Sequence, residues 1–385
     1  MIPIAKPWID EREAEAASRV ILSGWITQGP EVAAFEREFA EAVNAPYACA
    51  VSNCTTALHL ALLAAGVQPG DEVITVSHSF IATANCIRYC GATPVFVDIC
   101  PETFNIDVSQ VEAAITSRTR AILCVHQMGM PCDLAHLVAL SQKFSLPLIE
   151  DAACAIGSEV LWQDRWERIG KPHGDAACFS FHPRKVVSTG DGGMITTKHK
   201  AWDQKMRLWR QHGMSISDTA RHSSHRVLFE EYTELGFNYR MTDIQAAIGR
   251  EQLKRLPRII EFRRALAAEY RDALAKIPSL TLPTEPAWAR SNWQSFCVRL
   301  STDLDQAQTM QSLLERGIST RRGIMCTHLE PAYQTQPWRS AGPLHRSEEA
   351  QRTGLILPLY SQMDPADQAA VISGLECVLA AECVR

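Results

Sequence analysis

Residues 179–197 read Phe179-Ser180-Phe181-His182-Pro183-Arg184-Lys185-Val186-Val187-Ser188-Thr189-Gly190-Asp191-Gly192-Gly193-Met194-Ile195-Thr196-Thr197. A β-prone run ending at Phe181 delivers one lysine into a turn, and a glycine-rich reversal leads into the next β-prone run. Pro183 fixes its own φ and lacks an N–H, so neither a strand nor a helix continues regularly through it. The glycines permit positive φ, or a close approach of the backbone to something bulky. Taken alone, Lys185 reads as a surface lysine beside a hairpin. The segments around it decide.

Upstream, from residue 70, short apolar runs alternate with helical patterns. Asp71 to Val76, Thr93 to Asp98, Arg120 to His126 and Leu146 to Asp151 are strand-like. Phe80 to Arg88, Val108 to Ile115 and Leu134 to Phe144 are helical. Continuous apolar strands between helices predict an α/β fold with a mostly parallel sheet covered on both faces. Asp98 and Asp151 then fall at C-terminal strand ends, where open α/β sheets place their ligands.

Further upstream, residues 11–23 and 31–43 read as amphipathic helices joined by Gly24-Trp25-Ile26-Thr27-Gln28-Gly29-Pro30, in which Trp25 and Thr27 could line a pocket. A β-like Ala48 to Val51 leads to Ser52-Asn53-Cys54-Thr55-Thr56 and a strong helix from Ala57. Small polar residues there are N-cap chemistry, and the same helix start, with the Thr55 and Thr56 hydroxyls, could hold a phosphate. Downstream, Ser215 to Glu231 is polar and loop-like, Thr242 is a candidate N-cap, and a long helix over about 251–275 is predicted to link two domains. Strands at Ser295 to Leu300 and Leu355 to Leu357 and helices at Gln306 to Arg316 and Pro365 to Ala381 follow.

The chain has 385 residues, 46% hydrophobic and 21% charged, with a net charge of −5. That length exceeds the ~250–300 residues at which one core stops growing; the predicted division is 1–254 and 255–385. The acidic balance argues against nucleic acid or an anionic bilayer as the main partner, and no apolar run reaches the ~20 residues of a membrane span. Thirteen cysteines, without a CxxC pair or a secretory leader, predict reduced thiols in a cytoplasmic protein and no metal site.

A strand-end Asp, a helix start bearing hydroxyls, and a Lys flanked by Ser and glycines fit pyridoxal 5′-phosphate (PLP), which needs an amine, an acid for its ring nitrogen and a cradle for its phosphate. Glu150-Asp151-Ala152-Ala153, Ser180 to Lys185, the glycine-rich turn and Asn238-Tyr239-Arg240-Met241 resemble the DegT/DnrJ/EryC1/StrS sugar aminotransferases. The resemblance runs from Gly24 to Tyr360. It implies PLP fold type I, with a large domain built on a seven-stranded sheet and a smaller C-terminal α/β domain. By position, Lys185 resembles the lysine that bonds the cofactor and shuttles the proton, and Asp151 the acid at the ring nitrogen. Ser180, Thr55 and Thr56 match phosphate contacts, with Cys54 beside them. Phe80 and Ala153 match the residues on the two ring faces. Asn238 matches an Asn that reaches the phosphate of the neighbouring subunit, which implies a homodimer with shared sites. Trp25, Thr27, His182, Tyr239 and His328 fall at positions lining the substrate cleft.

Three positions depart from the family's pattern. Cys154 stands where many relatives carry Gln or His near the cofactor's phenolic oxygen, Cys54 where Gly or Ala is common, and Asp191 where Glu is usual. Leu161 to His173, with Trp162 and Trp166, is an insertion that reads as a surface flap or as part of the substrate mouth. The implied reaction passes an amino group from L-glutamate to the keto group of a nucleotide-linked deoxysugar, C4 favoured over C3. A cyclitol ketone is the alternative acceptor. Sugar dehydratases of this fold carry His at the lysine position, which argues against that chemistry, and the intact Lys, Asp, Ser and Asn set argues against a PLP-binding regulator without turnover.

Overall fold

The computed structural model of the protein describes residues 1–216, 221–222 and 224–382. Helices α1 (Glu11–Ser23) and α2 (Pro30–Val43) precede strand β1 (Tyr47–Val51) and helix α3 (Cys54–Ala64). Strands β2 (Glu72–Val76), β3 (Thr93–Val97), β4 (Thr119–Val125) and β5 (Leu148–Asp151) then alternate with α4 (Ala82–Tyr89), α5 (Val108–Ala114) and α6 (Leu134–Phe144). After the hairpin β6 (Glu159–Trp162) and β7 (Arg165–Arg168) come β8 (Ala176–Ser180), β9 (Gly193–Thr197) and α7 (Lys200–Trp209). The main sheet has the order β1-β9-β8-β5-β4-β2-β3. The pairs from β3 to β8 are parallel, and β9 alone in that series runs against its neighbours, β1 and β8.

Both faces of this sheet are buried, as continuous apolar strands require. Successive residues of one strand enter opposite cores: Ala48 and Ala50, Ile74 and Val76, Ala177 and Phe179 pack with Phe35 and Phe39 of α2. Cys49 and Val51, Val73, and Ala176 and Cys178 pack with Leu58 and Leu62 of α3. Each fully buried large side chain contributes about 1.5–3 kcal/mol. A second, antiparallel sheet of four strands (Leu280–Thr281, Phe296–Leu300, Gly354–Leu357, Arg321–Arg322) has its own core around Tyr270, Phe296, Leu355 and Leu375.

Four details differ from the sequence reading. The main sheet has eight strands, because Arg339–Ser340 adds in parallel to β3. Helix α8 is one continuous helix, Asp243–Leu274, capped by Thr242, whose side chain accepts from Gln245 N while Gln245 returns to Thr242 N. It passes through Pro257, so a boundary at 254/255 falls inside it. The insertion at 161–173 is the β6–β7 hairpin and its return. Its turn residues Gln163 and Asp164 take positive φ (47° and 63°), and β6 pairs with Ala289–Arg290. Finally, Asp98 is committed to structure: it accepts from Arg346 N and Ser347 N, capping the helix His345–Thr353.

The eighth strand is anchored by an ion-pair network that local sequence does not display. Glu72 on β2 is 1% exposed. Its oxygens take Nε and Nη2 of Arg339 at 3.0 and 2.8 Å, Arg118 Nη2 at 2.5 Å and the Thr116 hydroxyl at 2.7 Å. The Arg339 hydrogen bonds and those of Thr116 and Arg118 outweigh burial and hold the carboxyl down at about 2. A depressed folded pKa stabilises above the unfolded value of about 4.5 and is lost as pH falls toward 2. Glu72→Gln is therefore expected to cost roughly 2–3 kcal/mol at pH 7 and much less near pH 2.5. Denaturant unfolding at the two pH values checks this; an equal loss at both would contradict it.

Candidate active site

Strand β5 ends at Asp151 between the C-terminal ends of β4 and β8. The carboxylate is buried, yet both oxygens are engaged: Oδ2 accepts the Thr83 hydroxyl at 2.8 Å and Oδ1 accepts Ala153 N at 3.1 Å. Thr83 has one proton, spent on Asp151, so the Ser79 hydroxyl 2.7 Å away donates to Thr83. Burial pushes the Asp151 pKa up, against the pull of Thr83, Ala153 N–H and Lys185. A buried acid with only neutral donors on its oxygens is matched to a positive partner, and a protonated ring nitrogen is such a partner.

Lys185 arrives from the loop between β8 and β9. Phe181 N donates to Gly192 O and Thr189 N to Phe181 O, closing the reversal, while Lys185 N donates to His182 O and pulls the lysine into its turn. Lys185 Nζ donates to Cys154 Sγ at 3.0 Å. Burial lowers its pKa, but Cys154, Asp151 and Cys54 together raise it further, so the free amine is held as an ammonium.

The phosphate end is α3. Asn53 is its N-cap, accepting from Thr56 N at 2.9 Å. The Thr56 hydroxyl donates to Asn53 O at 2.8 Å and sits 3.3 Å from Asn53 N, so capping already occupies it. The Cys54 thiol is turned onto Cys178 O at 3.5 Å, and burial keeps it protonated. What remains toward a phosphate is the pair of amides of Cys54 and Thr55, with the Thr55 hydroxyl, none hydrogen-bonded among the described residues. Gly193 shapes this corner, because a Cβ there would stand 2.5 Å from the Asn53 carbonyl carbon and 2.9 Å from Cys54 N. Ser180, half-buried at the end of β8, pairs in register with Gly193, and its hydroxyl oxygen accepts His182 N at 3.4 Å. Asp191 takes part through its carbonyl, which accepts from Thr189 and Gln245. An amine, a buried acid and a helix start with open amides fit PLP.

The other expected site residues are spread around this centre. Phe80 is 62% exposed, and its carbonyl accepts Thr83 N. Ala153 is half-buried beside Asp151. Trp25 lies edge-on to His222 at 4.9 Å. Its loop, with Thr27 exposed, is fastened by Asp243, which accepts Gly29 N at 2.7 Å and Val32 N at 3.0 Å. The His182 ring accepts Arg184 N at 3.2 Å, and burial lowers its pKa. Tyr239 stacks on Phe237, meets His59 Nδ1 at 3.2 Å, and accepts Ser52 N through its carbonyl at 2.8 Å. Asn238 is exposed. His328 is buried, with Nδ1 2.6 Å from Ser77 Oγ and Nε2 3.4 Å from Glu348.

Thr83, Ser79 and Asn292 escaped the sequence reading. Thr83 lies three residues after Phe80, where a helix start leaves no signal beyond a hydroxyl. Asn292 comes from another part of the chain, donating to Cys154 O and Ile156 O at 2.8 Å each. Behind Asp151, the Cys132 N–H binds His126 Nδ1 at 2.9 Å, so Nε2–H donates to buried Glu150 at 3.0 Å.

The model of the DegT/DnrJ/EryC1/StrS aminotransferase family matches residues 7–376. The chain is 36% identical over 382 residues to the spore coat polysaccharide biosynthesis protein SpsC of Bacillus subtilis, covering 98% of this chain and 97% of that protein. It is 38% identical over 382 residues to GDP-perosamine synthase of Caulobacter vibrioides, covering 98% of each. Among solved structures, the aminotransferase TlmJ from Streptoalloteichus hindustanus is similar, with a TM-score of 0.89, 33% identity and 99% of both chains covered. Because the match takes in the strand-end acid, the lysine loop and the C-terminal sheet alike, the chain belongs to the DegT/DnrJ/EryC1/StrS aminotransferase family and is a PLP-dependent aminotransferase.

Proposed function

We propose that the protein moves an amino group from L-glutamate to the keto group of a nucleotide-linked deoxysugar, with C4 the favoured position. The observation that carries the reading is the placement of Lys185 Nζ and the buried Asp151 carboxylate at neighbouring strand ends of one sheet. PLP, when bound, supplies an electron sink for the substrate carbon. Lys185 bonds the cofactor at rest and, once its amine is free, moves a proton at Nζ. Asp151, whose oxygens accept from the Thr83 hydroxyl and Ala153 N–H, would hold the ring nitrogen's proton. Thr55, Ser180 and the α3 amides hold the phosphate, Phe80 and Ala153 flank the ring, and Trp25, Thr27, His182, Tyr239 and His328 border the substrate.

Similarity to GDP-perosamine synthase supports a nucleotide sugar, and Ser180-Phe181-His182 resembles members acting at C4. A second copy of the chain is proposed to complete each site with Asn238. Supporting this, Phe229, Tyr232 and Leu235, in the segment leading to Asn238, are 84%, 63% and 96% exposed, and exposed apolar groups of that kind mark covered surfaces. The proposed domains, 1–254 and 255–385, meet within α8.

The test is a pair of half-reactions. L-glutamate is added to PLP-loaded protein and 2-oxoglutarate is measured; nucleotide keto-sugars and an inosose are then offered in turn. One 2-oxoglutarate per site, followed by an amino product with a C4-keto nucleotide sugar, is the expected result. A product with the inosose alone would move the acceptor to the cyclitols, and absence of 2-oxoglutarate would overturn the glutamate assignment.

A further inference from the structure

The chemistry so far leaves Cys154 without a role, although its sulfur is the hydrogen-bond acceptor of Lys185 Nζ. Its placement is not accidental to the turn. Asn292 Nδ2 holds the Cys154 carbonyl at 2.8 Å, and two residues on, Gln294 Nε2 donates to the carbonyl of Arg184, the residue before Lys185. Asn292 Oδ1 accepts Gln294 N at 2.8 Å, tying the two clamps together. One short segment leading into the strand Phe296–Leu300 therefore sets both the thiol and the lysine. Gly129 is part of the same arrangement, since a Cβ there would collide with the Asn292 side chain.

We propose that Cys154 is a positioning residue for Lys185: whenever the amine is free, the sulfur accepts its hydrogen bond and parks the protonated Nζ beside the turn that follows Asp151. This rests on the reading of Lys185 as the lysine that bonds PLP. A Gln or His at this position would be longer and would reach past the amine, whereas a thiol ends at hydrogen-bond distance from it. The charged and titratable groups facing Nζ are Asp151, Cys54 and Cys154 from neighbouring elements, with His182 on its own loop. Asp151 and Cys154 both favour the ammonium, and burial opposes it. Bonding an aldehyde needs the neutral amine. Removing the sulfur should therefore let uptake of PLP begin at lower pH.

The experiment strips the full chain of PLP and follows its re-uptake across pH, with borohydride reduction and peptide mass analysis to locate the attached cofactor. Wild type, Cys154→Ala and Cys154→Ser are compared. Cys154→Ala is expected to shift the midpoint of the uptake rate down by about one pH unit, and Cys154→Ser, which restores an acceptor, to lie between the two. Equal midpoints for all three would overturn the role of Cys154 while leaving Lys185 in place. Should the Ala variant fold poorly by circular dichroism, Cys154→Val, which fills the space without an acceptor, takes its place, and an unshifted midpoint for it would overturn the role equally. Attachment in wild type at a lysine other than Lys185 would sink the underlying reading, and this inference with it.

Discussion

Replacing Lys185 with Ala is expected to lower turnover by about 10⁴-fold or more, because one side chain carries both the covalent bond and the proton transfer. The variant should fold normally. Lys185 makes one side-chain hydrogen bond, to Cys154, and its backbone contact to His182 survives the change. It should also still bind the amine form of the cofactor, since the α3 amides and Asp151 are untouched. Steady-state rates, visible absorbance and thermal melts together check this: turnover and the absorbance of the lysine-bound cofactor should vanish while the melting temperature holds. Retained absorbance would remove Lys185 from its assigned place. The same variant tests the shared site. Mixed with Asn238→Ala, itself weakened in cofactor retention, it should recover activity through hybrid dimers that contain one intact site, and no recovery would count against Asn238 acting across an interface.

Asp151→Asn is expected to reduce turnover by about 10³-fold while leaving the cofactor-free protein as stable as wild type or more so. The two effects have one cause. Asp151 is buried with neutral donors from Thr83 and Ala153, and burial raises its pKa. A raised folded pKa means that ionisation is harder in the fold than in the unfolded chain, so stability falls as pH rises from the unfolded value through the folded one. Wherever the carboxyl is ionised in the fold that penalty is present, and a neutral amide removes it. The amide keeps one acceptor oxygen, so either Thr83 or Ala153 N–H retains its bond. What it lacks is the negative charge opposite a protonated ring nitrogen. Turnover and thermal melts of the stripped proteins check the pair of outcomes, and a large loss of stability together with activity would show that Asp151 is chiefly structural.

Much of this arrangement was legible along the chain. Apolar runs alternating with helices announce a two-faced parallel sheet because side-chain alternation and burial on both faces leave no polar face to read. Pro183, Lys185 and the glycines that follow carry their own local physics, as does Thr242, which caps its helix as expected. The family motifs then assign residue types to roles.

What local sequence cannot display is which partner a side chain meets. Thr55 and Thr56 look alike in the chain, yet the helix geometry turns Thr56 back onto Asn53 and leaves Thr55 open. Asp98 and Asp151 both close apolar strands, yet one caps the helix at 345 and the other faces Lys185 across the strand ends. Glu72 and Arg339 lie 267 residues apart in sequence, and their pairing anchors the eighth strand. Cys154 is an unremarkable thiol until Asn292 and Gln294 bring it and Lys185 together. The chain by itself pointed to the fold through burial patterns and turn chemistry, which act over a few residues, and its motifs pointed to the cofactor and to Lys185 and Asp151 as the proposed amine and acid. The tertiary structure decided which hydroxyl is left open, which carboxylate caps a helix and which sulfur meets Lys185, because hydrogen bonds reach about 3 Å in space with no regard to distance along the chain.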